Sequence, residues 1–131
     1  MLINFIVLRG KYSIYKFKNG SVLPDWIYSS DFYSVTKTKD ELSVIALQTE
    51  FISEDIVRSN DWRIFKIEGP LDFSLVGIIA DVASIFKENK IPIFTISTYE
   101  TDYILVKQKD LSFGMKALRA KGHQISTELK S

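Results

Sequence analysis

Apolar and polar positions alternate with two different periods along the chain, and the change of period predicts where strands give way to helices. Residues 62–67 combine aromatic and β-branched side chains, which is typical of a strand. In residues 74–90 the apolar side chains recur at helical spacing, so this segment is predicted to form an amphipathic helix. Asp72 and Ser74 are the candidate caps at its start.

The second half continues with two more strands and a second helix. Residues 93–98 and 102–107 have strand composition and are joined by a short polar turn, as in a hairpin. The second helix is predicted to begin at Asp110 and to stop at Gly122, and residues 123–127 form a last strand. Two helices would then cover one face of a four-stranded antiparallel sheet, which is the ferredoxin-like βαββαβ arrangement.

The first half has strand patterns with little helix. Residues 12–17, 32–37 and 42–48 are predicted strands. Residues 24–28 suffice for one short helical turn, and residues 52–57 for at most one or two turns.

The two halves also repeat one another in part. The pattern aromatic, any residue, Ile, aromatic, Lys, apolar occurs at residues 12–17 and again at residues 62–67. A second pair of segments, residues 36–44 and 98–106, also match one another. More residues separate the two matching segments in the second copy than in the first. Such self-similarity indicates two related units, of which the first has lost most of an internal element.

The sequence therefore predicts an α+β protein of two packed ferredoxin-like units, the first with reduced helices. The predicted units are residues 1–59 and 60–131, and the polar join between them is too short to let them swing freely. Residues 2–8 are predicted to form an extra strand, for which the pattern indicates no partner.

Composition excludes several functional classes. The 131 residues include 17 Lys and Arg against 16 Asp and Glu, and the formal charge of +1 gives no electrostatic support for binding nucleic acid. The chain has no Cys, and its lone His123, which we expect on the surface, cannot build a metal cluster by itself. We expect no metal and no cofactor. We also expect no enzymatic activity, because no base or nucleophile accompanies the carboxylates at motif spacing.

The chain shows no sign of a membrane or secretory segment. Its apolar start lacks a basic region and a small-residue cleavage site. No stretch reaches the roughly 20 apolar residues that a membrane span requires. A cytoplasmic protein is the expectation.

Two positions of the second half are candidates for binding a small ligand. Asp102 lies where the predicted hairpin meets a strand, and its carboxylate suits an ammonium or guanidinium group. The alternative is a turn aspartate that bonds its own backbone. Gly77 lies in the first turn of the predicted helix, where free N–H groups and the helix dipole suit a carboxylate. The alternative there is close packing against a neighbouring strand or subunit.

Three motifs resemble the ACT-domain family. Residues 68–78 (EGPLDFSLVGI) and 96–106 (ISTYETDYILV) carry the resemblance, and residues 32–45 (FYSVTKTKDELSVI) resemble the first-domain motif of its small bacterial tandem branch. The second unit is also similar to the ACT repeats of the animal cytosolic arginine sensor. The resemblance implies a regulatory module that binds an amino acid or another small metabolite at an interface between two domains.

The resemblance also implies which residues meet the ligand. Backbone groups around Val76, Gly77 and Ile78 lie at the helix start, and Thr98 and Asp102 lie at the hairpin, with the Asp engaging the cationic end of the ligand. Because the chain has one complete unit, a homodimer would bring two such units face to face. Regulation would then act through assembly or through an unknown partner protein.

Leu75 departs from the sensor, whose last repeat has an acidic residue at this position. Ligands smaller or less basic than arginine are therefore equally compatible with the motif. The same departure favours an alternative function, a dimerisation module whose pocket has decayed. A third hypothesis, an RNA-binding ferredoxin-like domain, lacks both the signature motif and the positive charge.

Overall fold

The computed structural model of the chain describes residues 2–68 and 77–128. The chain divides into two compact units, a larger one within Met1–Arg9 and Arg63–Ser131 and a smaller one within Gly10–Trp62, and only their described residues are considered below. The strands are β1 (Asn4–Val7), β2 (Tyr12–Phe17), β3 (Ser34–Lys37), β4 (Leu42–Leu47), β5 (Val57–Ile67), β6 (Phe94–Ser97), β7 (Asp102–Lys107) and β8 (Gln124–Thr127). The α-helices are α1 (Asp25–Tyr28), α2 (Ile78–Glu88) and α3 (Leu111–Ala120), the last preceded by a 3-10 turn at Gln108–Asp110.

The larger unit has the predicted order of elements, with β5, α2, β6, β7, α3 and β8 following one another along the chain. Its strands are hydrogen-bonded in the order β6-β7-β5-β1-β8. The N-terminal strand β1 thus lies between β5 and β8, antiparallel to the first and parallel to the second. The expectation of a four-stranded antiparallel sheet is therefore wrong in one respect, because β1 separates the strands that would otherwise be neighbours.

Helix α2 buries the apolar face that its sequence predicts. The buried side chains are Ile78, Val82, Ile85 and Phe86, and they share a core with residues of β5, β7 and α3. The helix begins at Ile78 rather than at residue 74, and the predicted caps Asp72 and Ser74 lie outside the described residues.

Helix α3 approaches α2 closely through a glycine. A Cβ added at Gly114 would lie 3.2 Å from the ring of Phe86, closer than nine in ten real Cβ contacts. A larger residue there would force the ring to move, so the small residue sets how closely the two helices pack.

The smaller unit has the predicted strands and little helix. Strand β4 lies between β3 and β2, antiparallel to both, and β2 is antiparallel to the first part of β5. The helix α1 is a single turn, whose buried Ile27 shares a core with Tyr15 and Val44. Residues 52–56 form no helix, and β5 begins at Val57, earlier than expected.

The two compact units do not follow the predicted boundary, because β1 pairs with strands of the larger unit. The division into a reduced unit of residues 1–59 and a complete unit of residues 60–131 stays a prediction.

Candidate functional site

The hairpin that joins β6 to β7 carries the two predicted site residues Thr98 and Asp102. Its turn is closed by a hydrogen bond from the Thr98 N–H to the Thr101 carbonyl at 2.8 Å. The Thr98 hydroxyl completes this turn, since it donates to the Thr101 carbonyl (3.1 Å) and accepts from the Thr101 N–H (3.3 Å). The side chain of Thr98 is therefore already engaged in shaping the turn.

Thr101, which the sequence did not single out, fixes the hairpin to the end of β5. Its side chain is buried, and its hydroxyl donates to the carbonyl of Ile67 at 2.6 Å. A buried hydroxyl is costly unless it is hydrogen-bonded, so this contact holds the turn beside the last residue of β5. Nothing in the local pattern of a polar turn indicates that one of its threonines is buried.

Asp102 is the first residue of β7 and lies opposite Ser97, the last residue of β6. It is half-buried, and one oxygen of its carboxylate, Oδ1, accepts a hydrogen bond from the Ser97 hydroxyl. Within residues 2–68 and 77–128, no Lys or Arg forms an ion pair with this carboxylate. Asp102 therefore presents a negative charge at the end of a hydrogen-bonded turn, with its second oxygen available to a cation.

The sequence predicts Gly77 in the first turn of the helix, but in the structure Gly77 lies immediately before α2. It is the N-terminal cap residue, and its φ of 83° lies in the left-handed region that favours glycine. A Cβ added at Gly77 would meet nothing within 4 Å, so packing against a neighbouring strand of the described chain does not explain this residue. The glycine is needed for its backbone conformation, which directs the chain into the helix.

The other two residues predicted at the helix start are Ile78 and Val76. The side chain of Ile78 is buried in the core of the larger unit, so only its backbone N–H remains a candidate for ligand binding. The first N–H groups of an α-helix have no acceptor within the helix. Val76 lies outside the described residues.

The structure brings some of the predicted residues into one region of the larger unit. The hairpin contacts the end of β5 through Thr101, and Ile78 shares a core with Ile67 and Ile104. Among the described residues, no hydrogen bond or ion pair joins Gly77 to Asp102, and their combination in one site is a proposal.

His123 is half-buried, contrary to the expectation of a surface residue. Its Nδ1 accepts a hydrogen bond from the N–H of Ile3 at 3.0 Å, and its ring packs edge-to-face with that of Phe5, with the ring centroids 5.6 Å apart. Burial, followed by the positive charge of the amino terminus, lowers the pKa of His123 below 6.5. The imidazole is thus a neutral acceptor that holds β1 in place.

Two further properties concern the described part of the chain alone. None of its helices combines the length and the apolar character needed to cross a membrane. It also contains no group of three or more His, Cys, Asp and Glu side chains placed to hold a metal ion.

Comparison with known proteins relates these features to a family. A family model described as an ACT domain matches residues 57–120, and a second model, of an N-terminal domain, matches residues 10–55. The crystal structure of protein Atu0741 from Agobacterium tumefaciens is 33% identical, with a TM-score of 0.89, and the match covers 99% of this chain and 96% of that one.

Two more distant structures share the fold. Protein VC0802 from Vibrio cholerae is 18% identical with a TM-score of 0.72, over 90% of this chain and 88% of its own. Aspartate kinase from Clostridium acetobutylicum, described as an allosteric enzyme, is 10% identical with a TM-score of 0.67. That match covers 90% of this chain and 34% of the kinase.

Proposed function

Because this chain is a small ACT-domain protein of the same family as Atu0741, we propose that it is a regulatory protein that binds an amino acid or a similar small metabolite. It acts as a cytoplasmic homodimer, with the ligand at the interface between two ACT domains, and it has no catalytic activity of its own. The observation that carries the proposal is the Asp102 carboxylate, presented on a hairpin that Thr101 fixes to the end of β5.

The chemistry of the site suits a zwitterion. An amino acid has one carboxylate and at least one cationic group. The N–H groups around Val76, Gly77 and Ile78, at the positive end of the α2 dipole, suit the carboxylate. Asp102, beside Thr98, suits the cationic group through a charge-assisted hydrogen bond.

The regulatory role is supported by the ACT-domain match, whereas the likeness to an allosteric kinase at 10% identity is evidence for the fold alone. The homodimer is supported by the ACT-domain match together with the single complete βαββαβ unit of this chain. A partner protein that the dimer regulates is part of the proposal, and its identity is open.

The proposal is tested with a thermal-shift screen of the twenty common amino acids, followed by calorimetric titration of those that raise the melting temperature. Asp102→Asn should weaken binding by about 1–3 kcal/mol, the usual contribution of a hydrogen bond to a charged group. Asp40→Asn, which changes an exposed aspartate in the turn between β3 and β4, is the matched control and should leave the affinity unchanged.

Equal affinities for wild type and Asp102→Asn would place the site elsewhere. If wild type binds none of the amino acids but is dimeric by light scattering, the alternative of a dimerisation module without a ligand is favoured. A salt-sensitive shift with RNA would instead favour nucleic-acid binding, since phosphate contacts weaken as salt rises.

A further inference from the structure

The turn that follows β2 contains the dipeptide Asn19–Gly20, and nowhere else in the chain does glycine follow asparagine. The turn is closed by a hydrogen bond from the Ser21 N–H to the Lys18 carbonyl at 3.1 Å. Gly20 has a φ of 88°, in the left-handed region that favours glycine. Both residues of the dipeptide are exposed, and a Cβ added at Gly20 would meet nothing within 4 Å in the described part of the chain. The backbone nitrogen of Gly20 is thus not shielded by a side chain of its own.

This dipeptide places a nucleophile next to an electrophile. The backbone nitrogen of Gly20 can attack Cγ of the Asn19 carboxamide, forming a C–N bond that closes a five-membered succinimide ring. The attacking nitrogen loses its proton to a base in the solvent, and the carboxamide nitrogen takes up a proton and leaves as ammonia. Water then opens the ring at either carbonyl, which gives aspartate or isoaspartate. The reaction needs no reactant besides water, and glycine favours it because its backbone is the least hindered.

A contact with the turn between β3 and β4 opposes this reaction in the folded chain. The Asn19 carboxamide nitrogen donates one hydrogen bond to the Thr38 carbonyl at 3.1 Å and one to the Lys39 carbonyl at 2.9 Å. Both donors of the amide group are therefore in use. The nitrogen that has to leave is the atom that is held, so ammonia is released only after these two bonds open. Both bonds are exposed, and exposed contacts open readily by local fluctuation.

We propose that Asn19 is a site of spontaneous covalent modification, which deamidates in the folded protein at a rate set by how often its carboxamide leaves the Thr38 and Lys39 carbonyls. The product at position 19 has a carboxylate, which accepts hydrogen bonds and donates none. Two carbonyl oxygens would then face a negative charge, so the contact between the two turns is lost and does not form again. The inference concerns the smaller unit alone and is independent of any ligand.

The first experiment compares two asparagines within one sample of the full chain. Wild type is incubated in mildly alkaline buffer and digested, and mass spectrometry follows the replacement of NH₂ by OH in each peptide. Asn89 is the internal control, because its amide also donates to a backbone carbonyl, that of Ile85 at 2.7 Å, but the residue that follows it is Lys90. Product should accumulate at Asn19 at least severalfold faster than at Asn89.

The second experiment tests the protection by the neighbouring turn. In the urea-unfolded chain the two hydrogen bonds are absent, so Asn19 should deamidate severalfold faster than in the folded chain. Gly20→Ala should slow the reaction severalfold in urea, where the added methyl group hinders the attacking nitrogen and the φ of the folded turn no longer matters. Equal product at Asn19 and Asn89 in the folded chain, or equal rates at Asn19 with and without urea, would overturn the inference.

The structural consequence is measured with a variant that supplies one product directly. Asn19→Asp should unfold at a lower urea concentration than wild type, because it cannot donate to the two carbonyls. Gln124→Glu makes the same change from amide to carboxylate at an exposed position of β8, and it should unfold as wild type does. A midpoint for Asn19→Asp equal to that of Gln124→Glu would contradict the loss of the contact and overturn the proposal.

Discussion

The larger and smaller units contain hairpins with the same turn but different surroundings. In one the turn is Thr98–Thr101 and in the other Thr38–Glu41, and each threonine N–H donates to the carbonyl three residues later, at 2.8 Å and 2.9 Å. In each, the threonine hydroxyl accepts the N–H of the fourth residue. The backbone of the hairpin therefore does not distinguish a candidate site from a structural turn.

The difference lies in the residue that begins the returning strand. In the larger unit it is Asp102, which is half-buried and bonded to Ser97. In the smaller unit it is Leu42, which is 7% exposed and packs in the core of that unit. The hairpin of the larger unit therefore has a charged side chain at this position, whereas the hairpin of the smaller unit has a core residue there.

Exchanging these two residues should produce the largest effect. Leu42→Asp removes core packing and buries a carboxylate, so the free energy of unfolding should fall by about 4 kcal/mol or more. Asp102→Leu should change it by less than about 1 kcal/mol, because that position is not in a closed core. Urea unfolding of both variants measures the contrast. Similar losses would show that the two positions are equivalent after all.

The hairpin comparison corrects the register of the repeat that the sequence indicates. The sequence match aligned Asp40 with Asp102, whereas the shared turn aligns Leu42 with Asp102. A shift by two residues leaves every side chain of a strand on the same face, so the apolar pattern could not detect it. Hydrogen bonds of the turn define the register, and those depend on the three-dimensional structure.

Other parts of the fold were predictable to the extent that local pattern determines them. The order of elements in the larger unit and the buried face of α2 follow from periodicity and are confirmed. The place of β1 depends on pairing with strands far away in sequence, which no local pattern encodes. The burial of Thr101 could not be predicted for the same reason, because it depends on contact with β5.

The second prediction concerns the hydrogen bond from the Thr101 hydroxyl to the Ile67 carbonyl, a contact that the smaller hairpin lacks. Thr101→Val keeps the shape of the side chain but leaves the Ile67 carbonyl without its hydroxyl donor, so the free energy of unfolding should fall by about 1–3 kcal/mol. Glu41→Ala, at the equivalent turn position of the smaller unit, should cost less than about 0.5 kcal/mol. Thr101→Ser retains the hydroxyl and should restore most of the loss; a loss as large as that of Val would assign the effect to packing.

The two units should also differ in their response to pH, because the lone His of the chain, His123, lies in the larger unit. Its pKa is lowered in the folded state, so the unfolded chain binds more protons near that pKa. The stability contributed by its bond to Ile3 is fully present above pH 6.5 and is lost as the pH falls through the folded pKa.

The measurement is urea unfolding of wild type and His123→Asn between pH 7.5 and about 5, above the range where most carboxylates titrate. Asparagine can still accept the Ile3 N–H but does not titrate in this range. Wild type should lose stability on acidification and the variant should lose less. Parallel curves would show that His123 does not cause the pH dependence.

The smallest expected effect tests what the two hairpins share. Thr38→Ala and Thr98→Ala each remove a hydroxyl that accepts turn N–H groups, from Asp40 and Glu41 in the smaller unit and from Thr101 in the larger one. Each should lower the free energy of unfolding by about 0.5–1 kcal/mol, the net contribution of an ordinary hydrogen bond, and by the same amount within error. Equal losses, measured without ligand, would mean that the Thr98 hydroxyl serves the turn as Thr38 does. A clearly larger loss for Thr98→Ala would show that the larger unit depends on this hairpin more strongly, as expected if its turn holds Thr101 against β5.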